Sequence, residues 1–306
     1  MDITTAPVVL FVYNRPEHTA RTLAALRQNR LANMTRLYVF SDGPRTSADR
    51  DAVNQVRHIL DQATGFFDVV RIDRDVNTGL SGNIIDGVSY VLAQYDRVIV
   101  LEDDIVTAPS FLSYMNRALD CYQFSTSVFS ISGYGVPIQL PRAYPHPVYL
   151  SPRSSSWGSA TWRGRWEKAD WHVSDYPAFK WDFRRRASFN RGGNDLSRML
   201  DDQMIGRINS WDVIWAYTHF CNAAWCVYPV VSQVVNIGTD GTGTHHTTST
   251  QKYQTQSADT EVVFPNELLP DADVIACFRS FWNVPLRHRI KVWLYRRWQW
   301  LSDACT

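Results

Sequence analysis

The stretch VIVLEDD, residues 98–104, decides the fold of this chain. Its apolar residues run directly into three acids, Glu102, Asp103 and Asp104. A short continuous apolar run is typical of a strand buried on both faces of a parallel sheet. Adjacent carboxylates repel one another unless a cation joins them, and hard divalent cations prefer oxygen ligands. The stretch predicts a buried strand ending at a metal site; the alternative is an acid cluster that caps the next helix or faces water.

Upstream of this stretch, three more apolar runs alternate with helical patterns. We predict strands at residues 8–13, 37–40 and 67–72, with apolar residues at helical spacing between them. Such alternation is typical of a parallel sheet with right-handed crossovers, in which ligands bind at the carboxyl ends of the strands. The predicted fold class is therefore α/β, with a mostly parallel, Rossmann-like sheet and helices on both faces.

Downstream, the pattern changes. Residues 128–165 favour strands and loops, residues 166–220 favour helices, and residues 228–236 favour another strand. Residues 238–260 contain almost no apolar side chains, which is typical of a loop.

The composition excludes several classes of protein. With 45% hydrophobic and 20% charged residues the chain is ordinary globular protein, and its net charge of +1 predicts no nucleic-acid partner. Five cysteines, an odd number without a CxxC pair, favour reduced thiols and a cytoplasmic location. No secretory signal precedes Val8 and no uncharged apolar run could span a bilayer, so we expect a soluble or peripheral protein.

Two further loops follow predicted strands at the same edge of the sheet as the acids. Tyr13-Asn14-Arg15-Pro16 follows the first strand, and Ser41-Asp42-Gly43-Pro44 follows the second. Asp42 can accept a hydrogen bond from a base N–H, and Arg15 can lie against a base or a phosphate. The alternative is a pair of ordinary turns.

The segment NTGLSGN, residues 77–83, lies between the third strand and its helix. Its glycines allow the backbone to approach a ligand closely. Asn77 or Asn83 can then bond a base, a ribose or a diphosphate; a plain loop explains the segment equally well.

Taken in order, these motifs resemble GT-A glycosyltransferases related to N-acetylglucosaminyltransferase I, and more particularly bacterial sugar transferases encoded with polysaccharide and O-antigen genes. The resemblance covers most of residues 7–246. Its motifs are PVVLFVYNRP (7–16), YVFSDGP (38–44), NTGLSGN (77–83), VIVLEDDIVTAPSFLSYM (98–115), ISGYG (131–135), SWG (156–158), SWD (210–212), YP (228–229), NIG (236–238) and GTH (243–245).

The resemblance implies an inverting transfer from a nucleoside-diphosphate sugar, with a UDP-sugar favoured, and a requirement for Mn²⁺ or Mg²⁺. It places the metal on Asp104, and Glu102 and Asp103 on the ribose or nucleotide side. His245 or His246 would be a further metal or diphosphate ligand in a loop that closes over the donor; as a surface pair they would do neither.

Inversion needs one general base on the acceptor hydroxyl. Asp212, in SWD, matches the position of the base in the N-acetylglucosaminyltransferase I pattern, although Val213 follows where that pattern has a second acid. The rival is the pair Asp201-Asp202, on a predicted helix that can also face the sugar. Either acid is otherwise a surface group or an ion-pair partner of nearby arginines.

The resemblance also implies an acceptor side around Trp157 and Gly158, for a glycan or a lipid-linked glycan. Residues 287–301 interleave basic and aromatic side chains, which favours a helix lying on a membrane surface, at the inner face of the membrane. The alternative is a helix that packs its aromatics onto the sheet.

Three parts of the chain are predicted. Residues 1–125 form a nucleotide-sugar half, residues 126–260 form an acceptor and catalytic half of the same domain, and residues 261–306 form a helical C-terminal segment. Two other functions compete with sugar transfer. A sugar-nucleotide pyrophosphorylase would need a Gly-rich phosphate loop where Asn14-Arg15-Pro16 stands, and a non-catalytic carbohydrate-binding module would not need the strand-end acids.

Overall fold

A single eight-stranded sheet organises the protein, as seen in a computed structural model that describes residues 5–240, 251–265 and 267–285. The strands are β1 (Val8–Val12), β2 (Arg36–Ser41), β3 (Asp68–Asp73), β4 (Arg97–Glu102), β5 (Ile105–Thr107), β6 (Val128–Ser132), β7 (Val148–Ser151), β8 (Ser159–Trp162), β9 (Trp225–Pro229) and β10 (Val234–Asn236). The helices are α1 (Pro16–Arg27), α2 (Arg50–Leu60), α3 (Gly79–Leu92), α4 (Phe111–Tyr122), α5 (Arg163–Trp166), α6 (Tyr176–Phe179), α7 (Phe183–Phe189), α8 (Leu196–Met204), α9 (Trp211–Cys221) and α10 (Ala272–Trp282).

The strand order is β3-β2-β1-β4-β8-β6-β9-β7. The first four strands pair in parallel, as does β6 with β9, whereas β8 and β7 run antiparallel to their neighbours. Helices cover both faces: Val8 and Leu10 of β1 pack into one core cluster, and Val9 and Phe11 into another. The predicted α/β fold with a mostly parallel sheet is confirmed.

The sheet reverses its winding between β1 and β4. The chain moves outward from β1 to β2 and β3, then returns to place β4 on the other side of β1. Such a switch point opens a crevice at the carboxyl ends of the two central strands. Arg15 follows β1 and the three acids end β4, so this crevice receives both motifs.

The strand predicted at residues 228–236 is divided. It forms β9 in the main sheet and β10, which pairs with β5 in a separate two-stranded sheet. The backbone of Gln233 stabilises the segment between the two strands. Its N–H donates to the carbonyl of Gly133 and its carbonyl accepts from the N–H of Ala108, at 2.8 Å each. Periodicity alone could not show this change of partner.

The C-terminal segment contributes α10, which packs on the edge of the sheet. Asp271 caps the helix by accepting from the N–H groups of Asp273 and Val274. Phe278 is buried, with its ring 6.2 Å from Tyr149 and 5.1 Å from Tyr228. In the described residues no helix has the length and apolar character needed to cross a bilayer. Residues 287–301 lie outside the described part of the chain.

Candidate active site

The three acids occupy a tight connection between two sheets. Glu102 is the last residue of β4, and Ile105 begins β5 after Asp103 and Asp104. The backbone here is held on both sides, since Thr22 Oγ1 donates to the carbonyl of Asp103 at 2.8 Å and the N–H of Ile237 to that of Asp104 at 2.9 Å. The carboxylates therefore emerge from an anchored turn.

Arg15 supplies positive charge to this turn. Its Nη2 donates to Asp103, and to Asp104 Oδ2 at 2.9 Å. Burial lowers the pKa of Arg15, but the two carboxylates outweigh it and raise the pKa above its ordinary value. Nη1 of the same guanidinium is buried and has no hydrogen-bond partner among the described residues, so it can still bind an anion.

One arginine does not neutralise three acids. Burial, followed by the charges of Asp104 and Asp103, raises the pKa of Glu102 well above its ordinary value. Burial also raises the pKa of Asp103 to about 6, despite the nearby Arg15. A site that disfavours ionised carboxylates to this extent is suited to a second cation.

The turn fits a divalent metal held together with a substrate. In the described part of the chain, no three acidic, histidine or cysteine side chains converge to hold an ion. Mg²⁺ is commonly held by one or two carboxylates together with substrate phosphates, and Asp104 suits that arrangement. Gly238 keeps the space open, because a Cβ there would lie 2.1 Å from Asp104 Oδ2. His245 and His246 lie outside the described residues.

A small cavity of about 150 Å³ opens beside the acids, where the loops after β1, β2 and β3 meet. The structure brings together there every residue predicted to contact the nucleotide: Tyr13, Arg15, Asp42, Asn77, Asn83, Glu102 and Asp103.

Side chains of this cavity also tie its loops together. The carboxylate of Asp42 accepts from the N–H groups of Thr78 and Gly79 at 2.9 and 3.1 Å. Asn77 Nδ2 donates to the carbonyl of Gly43 at 2.9 Å, and Asn83 accepts from Arg74 at 2.7 Å. The loops after β2 and β3 are thus fixed together, and direct contact of these side chains with a base stays a prediction.

A larger cleft of about 530 Å³ adjoins this cavity and reaches the second half of the chain. Arg15, Glu102 and Asp104 line one part of it, and both base candidates, Asp212 and Asp202, line it too. The two sets lie more than 90 residues apart in the sequence and share one cleft in the fold.

Asp212 stands in the first turn of α9, directly after Trp211. Its Oδ1 accepts from Ser154 Oγ at 3.2 Å. Burial raises the pKa of Asp212 to about 6, although Arg153 lowers it. A general base works best when its pKa lies near the working pH, which favours this carboxylate.

The two acids of the rival pair, Asp201 and Asp202, have different surroundings in the structure. Asp202 lines the cleft, with its Oδ1 at 3.5 Å from Arg207 Nη1. Asp201 does not line the cleft; Arg186 holds both of its oxygens at 2.8 and 2.7 Å, and Tyr176 donates to it. Asp201 is therefore an ion-pair partner, and Asp202 alone stays as the rival.

The two predicted acceptor residues, Trp157 and Gly158, also differ in whether they line the cleft. Trp157 lines the cleft, with its ring 4.5 Å from that of Tyr134. Gly158 lines neither cavity in the described structure; it has a φ of +62° and packs against Val234 and Phe111, where a Cβ would be crowded. Gly158 thus shapes the backbone beneath Trp157.

Residues 8–188 match the model of Glycosyl transferase family 2, which is more than half of the chain. The chain belongs to Glycosyl transferase family 2. The match begins at β1 and ends within α7, so it includes the strand-end acids, Trp157 and all seven residues predicted to contact the nucleotide. Membership makes the protein a glycosyltransferase, and sugar transfer therefore prevails over pyrophosphorylase chemistry and passive carbohydrate binding.

Solved structures that resemble this glycosyltransferase include a mannosyltransferase from Pyrobaculum calidifontis in complex with GDP-Man and Mn²⁺, with 14% identity, a TM-score of 0.38 and 72% of each chain covered. Residues 1–349 of TarS from S. aureus match at 12% identity and a TM-score of 0.40, covering 74% of this chain and 59% of that one. An active-site mutant of LgtC matches at 14% identity and a TM-score of 0.36, covering 70% of each chain. No curated protein matches the sequence.

The far wall of the cleft joins Arg153 to Asp195, Tyr253 and Trp282, three residues that sequence patterns did not indicate. Arg153 Nη1 binds Asp195 at 2.8 Å, and the ring of Trp282 lies 4.1 Å from the guanidinium carbon of Arg153. Tyr253 stacks on Trp282 with 5.6 Å between ring centroids. These residues come from separate segments without a shared motif, so only their packing could reveal the wall.

Proposed function

We propose that this glycosyltransferase moves a sugar, with inversion, from a nucleoside-diphosphate sugar to a glycan or a lipid-linked glycan. A UDP-sugar is the favoured donor, Mn²⁺ or Mg²⁺ the metal, and polysaccharide biosynthesis at the cytoplasmic face of the membrane the setting. Residues 1–125 would hold the donor and residues 126–260 the acceptor, with a peripheral membrane contact through residues 287–301.

One observation carries this proposal: Asp212 and the strand-end acids line the same cleft. The charge of Asp212 is also among the influences that raise the pKa of Glu102, after burial and the neighbouring acids. A carboxylate of pKa about 6 thus lies within electrostatic reach of the place proposed for the diphosphate. An inverting transfer needs this pairing of base and leaving-group site.

The donor would lie across the two cavities, with its nucleotide between the loops fixed by Asp42. Arg15 would turn its Nη1 toward the diphosphate, because that atom lies next to the acids and has no hydrogen-bond partner among the described residues. A metal held by Asp104 and the diphosphate oxygens would neutralise charge that grows on the leaving group.

The acceptor hydroxyl would donate its proton to Asp212. Its oxygen then bonds to the anomeric carbon on the face opposite the diphosphate. The bond from that carbon to the diphosphate oxygen breaks, and the electron pair leaves with the nucleoside diphosphate. One displacement inverts the anomeric centre and leaves the proton on Asp212.

The proposal is tested by incubating the protein with UDP-, GDP- and dTDP-sugars in Mn²⁺ and following the release of nucleoside diphosphate. We expect release from one nucleotide class, with UDP-sugars first, and its loss in EDTA. Undiminished turnover in EDTA would refute the metal, and a product with retained configuration by NMR would refute inversion.

A further inference from the structure

The turn between α6 and α7 presents two large aromatic side chains to solvent. Trp181 is 71% exposed and Phe183 is 79% exposed. Adjacent exposed aromatics of this size are unusual on a soluble surface and mark places where something else binds. We call residues 180–184 the aromatic turn.

The exposure belongs to an ordered turn. Phe179 ends α6 and is fully buried, and Asp182 caps α7 by accepting from the N–H groups of Arg184 and Arg185 at 3.0 and 2.9 Å. With the backbone anchored on both sides, Trp181 has no route into the core.

The surroundings of the aromatic turn are basic. Residues 180–191 contain five basic residues and one acid, in a chain of net charge +1. Arg185 and Arg186 are used within the fold, pairing with Asp175 and Asp201 at 2.7 Å each.

The other three basic residues are Lys180, Arg184 and Arg191, and none has an ion pair with the described residues. All three are exposed, and Lys180 Nζ lies 5.2 Å from the centroid of the Trp181 ring. The aromatic turn therefore combines apolar rings with positive charge that no ion pair within the described residues neutralises.

We propose that the aromatic turn docks on an anionic lipid bilayer. Trp181 and Phe183 enter the headgroup region, where indole rings are favoured, and the three unpaired basic residues meet anionic headgroups. The charge selects this occupant, because a purely apolar partner would leave three cations without counter-charges.

Docking here would bring the acceptor half of the cleft to the membrane. Arg186 of α7 holds Asp201 of α8, and Ser197 Oγ donates to the carbonyl of Arg186 at 3.2 Å. Helix α8 in turn lines the cleft through Arg198 and Met199. The inference depends neither on Asp212 nor on residues 287–301.

The test is co-sedimentation of the full chain with vesicles of phosphatidylcholine alone or with about one third phosphatidylglycerol. We expect binding to the anionic vesicles that weakens as salt is raised. Trp181→Ser/Phe183→Ser and, separately, Lys180→Glu/Arg184→Glu should each lower the partition coefficient about tenfold or more. The matched control is Phe67→Ser/Phe124→Ser, which removes aromatics that are 67% and 88% exposed elsewhere and should bind like the wild type.

Equal partition of all variants, or no binding by the wild type, would overturn the proposal. So would a wild-type dimer that Trp181→Ser/Phe183→Ser converts to a monomer without any change in vesicle binding, since a second copy would then cover the turn. Circular dichroism checks folding. Nucleotide release without vesicles should be unchanged in the turn variants, which separates this proposal from that on catalysis.

Discussion

Arg15 shows how one residue holds the acid turn together. It binds Asp103 and Asp104 at once, so a single cation compensates one buried and one partly buried carboxylate. Breaking a fully buried ion pair by removing one partner typically costs about 3–5 kcal/mol, because the remaining charge is left unpaired, and the partial exposure of Arg15 and Asp104 lowers that cost here. The same contact keeps Asp104 in place before any substrate arrives.

Asp104→Ala should abolish transfer and metal-dependent donor binding. The expected loss follows from its place in the turn next to Gly238, where a carboxylate and a diphosphate can share an ion. Calorimetry of nucleotide-sugar binding with and without Mn²⁺ measures it, and circular dichroism should show an intact fold. Asp51→Ala, an exposed acid on α2, is the control and should bind normally. Full activity of Asp104→Ala would show that Asp104 does not hold the metal.

Asp212→Asn should bind donor normally yet transfer slowly. Losing a general base typically costs about two to four orders of magnitude in rate. Single-turnover rates with saturating donor measure this loss. Asp202→Asn is the matched comparison, because that acid lines the same cleft. If Asp202→Asn is inactive and Asp212→Asn is active, Asp202 is the base.

The pH dependence of kcat/KM should also show that Asp212 is the general base. Asp212 must be unprotonated to accept a proton, and its pKa is raised to about 6. The value of kcat/KM should therefore rise with pH, reach half of its maximum near pH 6 and level off about one pH unit above that. In Asp212→Asn the residual kcat/KM should no longer rise with pH in this range. If kcat/KM of Asp212→Asn still rises with pH, the rise belongs to another group such as Asp103, whose pKa burial also raises to about 6.

At the scale of elements, the end of β10 controls access to the acids. Gly238 follows this strand, and a Cβ at that position would meet Asp104 Oδ2 at 2.1 Å and Arg15 Nη1 at 2.9 Å. Neither neighbour can withdraw without disturbing the ion pair between them.

Gly238→Ala should therefore weaken donor binding about tenfold or more, because it displaces the side chain proposed to hold the metal. The melting temperature should fall as well, since the displaced Asp104 is an ion-pair partner of Arg15, whereas circular dichroism should show an intact fold. Gly164→Ala is the control, because a Cβ there meets nothing within 4 Å. Wild-type donor affinity in Gly238→Ala would show that Asp104 has more room than the structure gives it.

At the scale of the whole molecule, α10 connects the sheet edge to the cleft. Phe278 is buried against Tyr149 and Tyr228, and Trp282 at the end of the same helix lines the cleft beside Arg153. The core and the far wall of the cleft thus share one helix.

Phe278→Ala should lower the free energy of unfolding by about 3–5 kcal/mol, as other large aromatic-to-alanine changes in cores do. Urea denaturation measures the loss. Leu269→Ala, in the same segment but 67% exposed, should change stability by less than about 0.5 kcal/mol. Equal stability of the two variants would mean that α10 does not pack as described.

The sequence alone was enough to predict the sheet and the place of its ligand crevice. Apolar runs of β1 and β4 are local patterns, and the ends of parallel strands meet at one edge whatever packs around them. All seven residues predicted for the nucleotide line one cavity for this reason. Membership in Glycosyl transferase family 2 agrees with the same motifs.

The tertiary structure decided what depends on contacts between distant segments. The raised pKa of Asp212 comes from burial, which outweighs the opposing charge of Arg153, and no pattern within SWD carries that information. Trp282 joins the cleft, and Trp181 stays in solvent, because of how α10 and the α6–α7 turn pack. The three strand-end acids are neighbours in the sequence, so the sequence alone could reveal them. The choice between Asp212 and Asp202 as the general base depends on burial and desolvation. These are properties of the packed chain, so that choice needed the fold.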